Sequence, residues 1–84
     1  MHEGAVCREI MDIVDASARA NGISRVSEIV LAVGPWAGIN EMQLNFYFDI
    51  LRKGTRMGEA VIRVEKEEGL TGTSQMYIKN YRGE

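Results

Sequence analysis

The segment SRVSEIVLAV, residues 24–33, carries apolar side chains on both faces of one predicted β-strand. Its β-branched residues favour an extended backbone, in which successive side chains point to opposite faces. Alternation separates the apolar residues into two sets, one of Ile29, Leu31 and Val33 and the other of Val26, Val30 and Ala32. One set must therefore lie in a core, and the other face is either partly covered or a contact surface.

Two helical patterns flank this strand. In residues 5–20, apolar residues recur at spacings of three and four, and Asn21-Gly22 supplies the stop. In the second pattern, Asn40 fits an N-cap with Gln43 three residues later, and Lys53-Gly54 ends the helix. The apolar stripes are Val6, Ile10, Ile13, Val14 and Ala18 in the first helix and Leu44, Tyr47, Phe48 and Leu51 in the second.

Two further strands complete the element order helix, strand, helix, strand, strand. In EAVIRVE the inward residues are Ala60, Ile62 and Val64, and in QMYIKNY they are Met76 and Ile78, with Tyr77 and Lys79 outward. We predict an α+β fold with two helices packed on one face of a small three-stranded mixed sheet. The strands on either side of the second helix should be parallel, joined by a right-handed crossover. The last two strands, joined by the loop 66–74, should be antiparallel neighbours that form a hairpin.

Length and charge narrow the function classes. The chain has 84 residues, which is enough for one small domain over residues 1–84. Its net charge is −2 and its basic residues are scattered, so nucleic acid is not expected as a partner. The longest apolar stretch, residues 29–39, contains Gly34 and Pro35 and is too short to span a membrane. With no signal sequence and one cysteine, we expect a cytoplasmic protein without an internal disulfide or a Cys-rich zinc site.

The only histidine, His2, follows the N-terminal Met1. A metal held by the α-amine and the deprotonated amide nitrogen of His2 closes a five-membered chelate ring, and the imidazole Nδ1 closes a six-membered one. Flat nitrogen sites of this kind suit Ni(II) and Cu(II). The fourth position is open to the Glu3 amide, a carboxylate, water or a partner's side chain. The alternative is a solvated histidine without a role.

The other candidate residues favour structural roles. Cys7 is expected to be buried, and it becomes a soft fourth ligand only if the tail folds back. Asp12 and Asp15 are expected on a solvated helix face rather than as an acid–base pair. Trp36 follows Gly34-Pro35 in a turn, where it either covers the open end of the core or anchors a partner. No nucleophile and base can be assembled from these residues, so an enzyme is not expected.

The chain resembles the HypA family of nickel-insertion proteins along nearly its whole length. The resemblance rests on "MHE" at the N-terminus and, in order, on "RVSEIVLAVG", "AGINEMQLNFYFDILRKGT", "AVIRVEKEEG" and "MYIKNYRGE". It implies a nickel metallochaperone for nickel–iron hydrogenase, or for urease in some bacteria. It assigns the nickel site to His2 with the Met1 amine and nearby amides, and gives Glu3 a supporting role. It also implies two partners, a nickel-handling GTPase and the hydrogenase large subunit, and leaves a homodimer open.

One departure from the family concerns zinc. The resemblance implies a zinc domain with two Cys-x-x-Cys pairs between the last two strands, but "EKEEGLTGTSQMYIKN" crosses that point without a cysteine. We therefore expect the zinc domain to be missing between about residues 66 and 74 and no zinc to be bound. Natural loss and deliberate deletion both fit. A second hypothesis is a zinc-less interaction module that keeps the fold and docks proteins without delivering metal.

Overall fold

The fold is described from a computed structural model, which describes residues 3–70 and 76–84. Two helices and three strands follow one another in the predicted order. They are α1 (Glu3–Ala20), β1 (Val26–Val33), α2 (Glu41–Leu51), β2 (Val61–Lys66) and β3 (Met76–Gly83). The predicted α+β class with two helices on a three-stranded mixed sheet is confirmed.

The helix ends follow the local signals in the sequence. Asn40 caps α2, because its Oδ1 accepts a hydrogen bond from the Gln43 backbone N–H at 3.1 Å. Gly22 after α1 and Gly54 after α2 have φ angles of 70° and 76°, a left-handed conformation that glycine adopts without a steric cost. The predicted N-cap and both predicted stops are therefore confirmed.

β1 lies in the middle of the sheet, in the order β2-β1-β3. It pairs with β2 in parallel, as predicted, and with β3 in antiparallel orientation. The prediction that β2 and β3 are antiparallel neighbours is wrong, because β3 lies on the far side of β1. The physical reason is that the outer edge of β2 is already bonded by side chains of α2, whereas β1 offers a second edge and is apolar on both faces.

The connection from β2 to β3 crosses the end of β1 instead of closing a hairpin. Glu67 N donates to Val33 O at 2.8 Å, and Leu70 then passes over Gly34. A Cβ atom at position 34 would overlap the carbonyl oxygen of Leu70, so the crossing requires a glycine there. The described part of the connection ends at Leu70 and resumes at Met76.

The core lies between the two helices and one face of the sheet. A register shift between Val26 and Glu28 places Val26 on the core face with Ile29, whereas simple alternation had grouped it with Val30 and Ala32. The predicted grouping of Val26 with Val30 and Ala32 is therefore wrong, because a β-bulge turns Val26 to the core face. The largest fully buried side chains are Phe48, Ile10, Ile29, Leu31, Leu44, Met57 and Ile62.

The opposite face of the sheet is covered by its own polar side chains. Val30 lies between Arg63 and Asn80 in the register, and Ala32 lies between Glu65 and Tyr77. Both Val30 and Ala32 are nonetheless buried. Long side chains that lie along the sheet can cover small apolar neighbours with their aliphatic stems. The second face of β1 is thus partly covered, one of the two predicted alternatives.

The charges on this face form cross-strand pairs. Glu28 on β1 lies 3.6 Å from Arg63 on β2 and 3.6 Å from Arg82 on β3. Lys79 Nζ on β3 lies 3.0 Å from the Glu65 carboxylate on β2. This ion pair reaches across β1 at Ala32, whose side chain is small. We refer to this surface as the polar face of the sheet.

Candidate metal centre

The three residues predicted to bind nickel lie at the start of α1. Met1 and His2 lie outside the described residues, and Glu3 is the first residue of the helix. The described structure thus begins one peptide bond after His2. The nickel site itself stays a prediction, and the structure supplies its surroundings.

The first turns of the two helices pack side by side at one end of the molecule. Cys7 is fully buried, and its thiol donates a hydrogen bond to the Leu44 carbonyl oxygen at 3.2 Å. Glu41, also in the first turn of α2, accepts from Val64 N at 3.2 Å. The start of α1 is therefore held against α2, which in turn is held against β2.

The start of a helix has a chemical property that suits an amide-ligated metal. The first four N–H groups of an α-helix have no carbonyl acceptor within the helix. Because α1 begins at Glu3, the Glu3 amide belongs to that set. A metal can therefore displace the proton of the Glu3 amide without breaking a helical hydrogen bond. This removes one energetic cost of amide coordination.

Cys7 occupies a buried position in the core, as a structural residue would. Its side chain is in the core and packs with Val6, Ile10 and Leu44. Among residues 3–70 and 76–84, no group of three His, Cys, Asp or Glu side chains is placed to hold a metal ion. The structure therefore agrees with the expectation that Cys7 is buried.

Asp15 differs from the solvated carboxylate that its helical position suggested. Its Oδ1 accepts from Arg56 Nε at 2.7 Å and its Oδ2 accepts from Arg19 at 2.7 Å. The hydrogen bond from Arg56 is the main cause of a lowered Asp15 pKa, aided by Arg19 and opposed by partial burial. Arg56 lies in the turn after α2 and also donates to Ile23 O. The cluster therefore joins this turn to α1 and to the segment that leads into β1. Asp12 is exposed, as expected.

Trp36 projects from the turn after β1 and is 73% exposed. It does not cover the core, which removes one of its two predicted roles. A second exposed apolar feature was missed by the sequence reasoning. Met42, Phe46 and Ile50 lie on the outer face of α2 and are 81%, 63% and 62% exposed. Their spacing of four residues was the available signal, but it was hidden because the buried stripe of α2 has the same period.

No helix within the described residues is both long enough and apolar enough to cross a membrane.

Two relatives of the chain are described as hydrogenase maturation factor HypA. The chain is 38% identical over 69 residues to the hydrogenase maturation factor HypA of Xanthobacter autotrophicus, which covers 82% of this chain and 61% of that protein. It is 39% identical over 69 residues to the HypA of Chlorobium luteolum, covering 82% of this chain and 59% of that one. The chain thus spans about three fifths of the length of the relatives it matches.

Solved structures share the fold at low sequence identity. The solution structure of the Ni metallochaperone HypA from Helicobacter pylori superposes with a TM-score of 0.81 at 13% identity, covering 99% of this chain and 97% of that one. A second solution structure of a HypA protein gives a TM-score of 0.77 at 13% identity. At this identity, the likeness concerns the fold alone.

The sequence model of one family matches residues 1–74, and its description is "Hydrogenase/urease nickel incorporation, metallochaperone, hypA". The match includes the predicted metal-binding terminus, both helices and the first two strands. Together with relatives at 38–39% identity, it shows that the chain belongs to the HypA family.

Proposed function

We propose that the chain binds Ni(II) through its N-terminal residues and hands it on during maturation of nickel–iron hydrogenase. The Met1 amine, the His2 amide and the His2 imidazole are the proposed ligands, with Glu3 in a supporting role. The observation that carries the proposal is that the family match begins at residue 1 and includes this tripeptide. The function proposed is delivery of a metal and not catalysis.

The described structure supports this proposal in two ways. The amide at the first residue of α1 has no helical acceptor, so it is available for metal coordination. The bond between Cys7 and Leu44 holds this end of α1 in a defined position. A ligand set that lies within consecutive residues needs no further side chain from the fold.

The decisive experiment is calorimetric titration of Ni(II) into three samples of the chain with a native N-terminus. They are the unmodified protein, His2→Ala and a sample with an acetylated amine. Acetylation removes the amine donor and leaves His2 in place. We expect both changes to remove the binding event. Equal affinity with and without acetylation would show that the amine is not a ligand.

The pH dependence gives an independent check. The α-amine and the imidazole have ordinary pKa values of about 7.7–8.0 and about 6.5, and a metal must displace their protons. Nickel affinity should therefore fall as pH drops through these values. Cu(II) should compete with Ni(II), because divalent affinity for nitrogen ligands peaks at copper. A flat pH profile would exclude both donors.

We further propose that the domain over residues 1–84 works in the cytoplasm without a structural zinc ion. Its proposed partners are a nickel-handling GTPase and the hydrogenase large subunit, with a homodimer as one assembly to test. Urease is a second client class, because the family description names it beside hydrogenase. Copurification with each partner, followed by nickel transfer, tests these assignments separately.

The second candidate function is an interaction module that docks proteins without delivering metal. The exposed Trp36 favours it, together with the outer stripe Met42, Phe46 and Ile50. Trp36→Ala should then weaken binding to the GTPase while the nickel stoichiometry stays the same. If the chain binds the GTPase but takes up no Ni(II) with an unmodified terminus, this candidate replaces the first. Unchanged GTPase binding by Trp36→Ala would remove Trp36 from the interface.

A further inference from the structure

The two outer edges of the sheet differ in how their backbone groups are bonded. On the β2 edge, Asn45 Nδ2 donates to Ile62 O at 2.8 Å and Asn45 Oδ1 accepts from Ile62 N at 2.9 Å. Glu41 accepts from Val64 N on the same edge. Side chains of α2 thus take the hydrogen bonds that a neighbouring strand would make, and this edge is closed to pairing.

No helical side chain among the described residues bonds the β3 edge in this way, although a β-bulge interrupts β3 at Lys79, which has no partner on β1. Each hydrogen bond to the β3 backbone in the described part of the chain comes from β1, either in the strand ladder or from the Ser27 hydroxyl to Arg82 O. β3 is eight residues long, so its outer edge presents a row of backbone donors and acceptors. An unpaired edge of this length is a template for one more strand.

Partly exposed apolar side chains lie beside this edge on the core side of the sheet, namely Ile13 on α1 and Ile78 and Tyr81 on β3. The Ser17 and Tyr81 hydroxyl oxygens lie 2.7 Å apart, which places this side of α1 above β3. Ile13 lies one turn before Ser17 on the same side of the helix and is 53% exposed. Ile78 and Tyr81 on β3 are only partly buried. An added strand would therefore find apolar surface at Ile78 and at Tyr81, on either side of the bulge.

The polar side of β3 has the opposite character. β3 carries Lys79 and Arg82 and no acidic residue. Lys79 already forms an ion pair with Glu65 on β2. Arg82 forms one with Glu28 on β1, and Glu28 also pairs with Arg63 on β2. Glu67 adds a third carboxylate on this side, where it accepts from the Tyr77 hydroxyl at 2.6 Å. The face as a whole is therefore balanced in charge, and only β3 itself contributes cations without a carboxylate. Opposite charges across neighbouring strands are favourable, and like charges are unfavourable.

From these observations we propose that the outer edge of β3 binds an extended segment of a partner protein that alternates apolar and acidic residues. The backbone of the segment pairs with β3, its apolar side chains lie against Ile13, Ile78 and Tyr81, and its carboxylates face Lys79 and Arg82. A second copy of β3 fits this edge poorly, because it brings the same two cations and no carboxylate. The proposal does not depend on nickel binding.

The test uses synthetic peptides of about the length of β3, with blocked ends, that alternate valine with glutamate or valine with lysine. Binding is followed by calorimetry and by hydrogen exchange of the β3 amides. The valine–glutamate peptide should bind and slow exchange in β3 and not in β2, where Asn45 and Glu41 already hold the edge. The valine–lysine peptide should not bind.

Charge variants then test the assigned contacts. Lys79→Glu combined with Arg82→Glu should lower the affinity for the valine–glutamate peptide by about tenfold or more and should create binding of the valine–lysine peptide. Lys53→Glu combined with Arg8→Glu makes the same change in net charge on exposed residues outside the sheet and should leave both affinities unchanged. Ile13→Ala tests the apolar contact with α1. It should weaken binding of the valine–glutamate peptide, and the protein should still prefer this peptide to the valine–lysine peptide.

Three results would overturn the proposal. One is equal affinity for the two peptides in the unmodified protein. Another is peptide binding that leaves exchange in β3 unchanged. The third is dimerisation of the unmodified chain that protects the β3 amides without any peptide, which would make a second copy the occupant. Loss of nickel binding in His2→Ala bears on none of these, so the two proposals fail separately.

Discussion

The side-chain amide of Asn45 binds both backbone groups of Ile62, donating to its carbonyl at 2.8 Å and accepting from its N–H at 2.9 Å. Asn45 also donates to Glu41 O in its own helix at 3.0 Å. One helical side chain thus takes the place of a neighbouring strand. This contact fixes α2 against β2 and leaves β3 no site on that edge.

The first prediction concerns this contact. Asn45→Asp keeps the shape but replaces the donor with a carboxylate facing the Ile62 carbonyl. We expect a loss of about 1–3 kcal/mol in the free energy of unfolding, since a partly buried hydrogen bond is replaced by an unpaired acceptor. Urea denaturation measures it. Asn80→Asp on the exposed polar face is the control, and a smaller loss for Asn45→Asp than for the control would contradict this role.

The second prediction concerns the crossing of Leu70 over Gly34. Gly34→Ala places a methyl group against the Leu70 carbonyl, so the connection must shift. We expect a loss of about 1–3 kcal/mol, as for other overpacking substitutions. Gly69→Ala is the matched control in the same connection, because a Cβ there meets no atom within 4 Å. Thermal melts should show a lower Tm for the first variant alone, and equal Tm values would mean that the crossing is loose.

The third prediction follows from the lowered pKa of Asp15, whose main cause is the hydrogen bond from Arg56. A carboxyl whose pKa is lower in the folded state stabilises the fold above its ordinary value of 3.8, and this contribution is lost as pH falls through the lower folded value. Asp15→Asn should therefore lower Tm at neutral pH, and the difference from the unmodified protein should shrink below pH 3.8.

Asp12→Asn serves as the control for this pH series, because Asp12 is exposed on the same helix. Melting curves across the acid range give both differences. A Tm difference for Asp15→Asn that stays constant with pH would show that the carboxylate charge does not contribute.

The fourth prediction separates packing from metal binding at Cys7. The thiol is fully buried and bonds to Leu44 O, so a thiol reagent should modify it only after unfolding. Cys7→Ala should cost about 1 kcal/mol through lost apolar contact and should leave nickel affinity unchanged. Ellman's reagent and nickel calorimetry test the two parts. A thiolate-to-nickel absorption band that disappears in Cys7→Ala would make Cys7 a ligand after all.

Local sequence patterns were enough to predict the helices, the strands and most of the core. They missed Met11 and Met57, and they put the exposed Ile13 on the apolar stripe of α1. Period-four stripes with an Asn40 cap predicted the helices, and alternation predicted the strands, because each signal arises from residues close together in the chain. The parallel pairing of β1 and β2 also followed, since a helix between two strands leaves little alternative. The metal-binding prediction rests on adjacent residues, Met1, His2 and Glu3, and therefore needed no tertiary contact to be formulated.

The order of the strands and the identity of the exposed surfaces depend on contacts between distant parts of the chain. A hairpin between β2 and β3 was a local expectation, but Asn45 bonds the β2 edge across 17 residues of sequence and Leu70 crosses Gly34, so β3 pairs with β1. The bulge that turns Val26 into the core and the ion pair from Asp15 to Arg56 depend equally on distant partners. Such contacts produce no periodic pattern in the sequence, because they join groups that come together only when the whole chain folds.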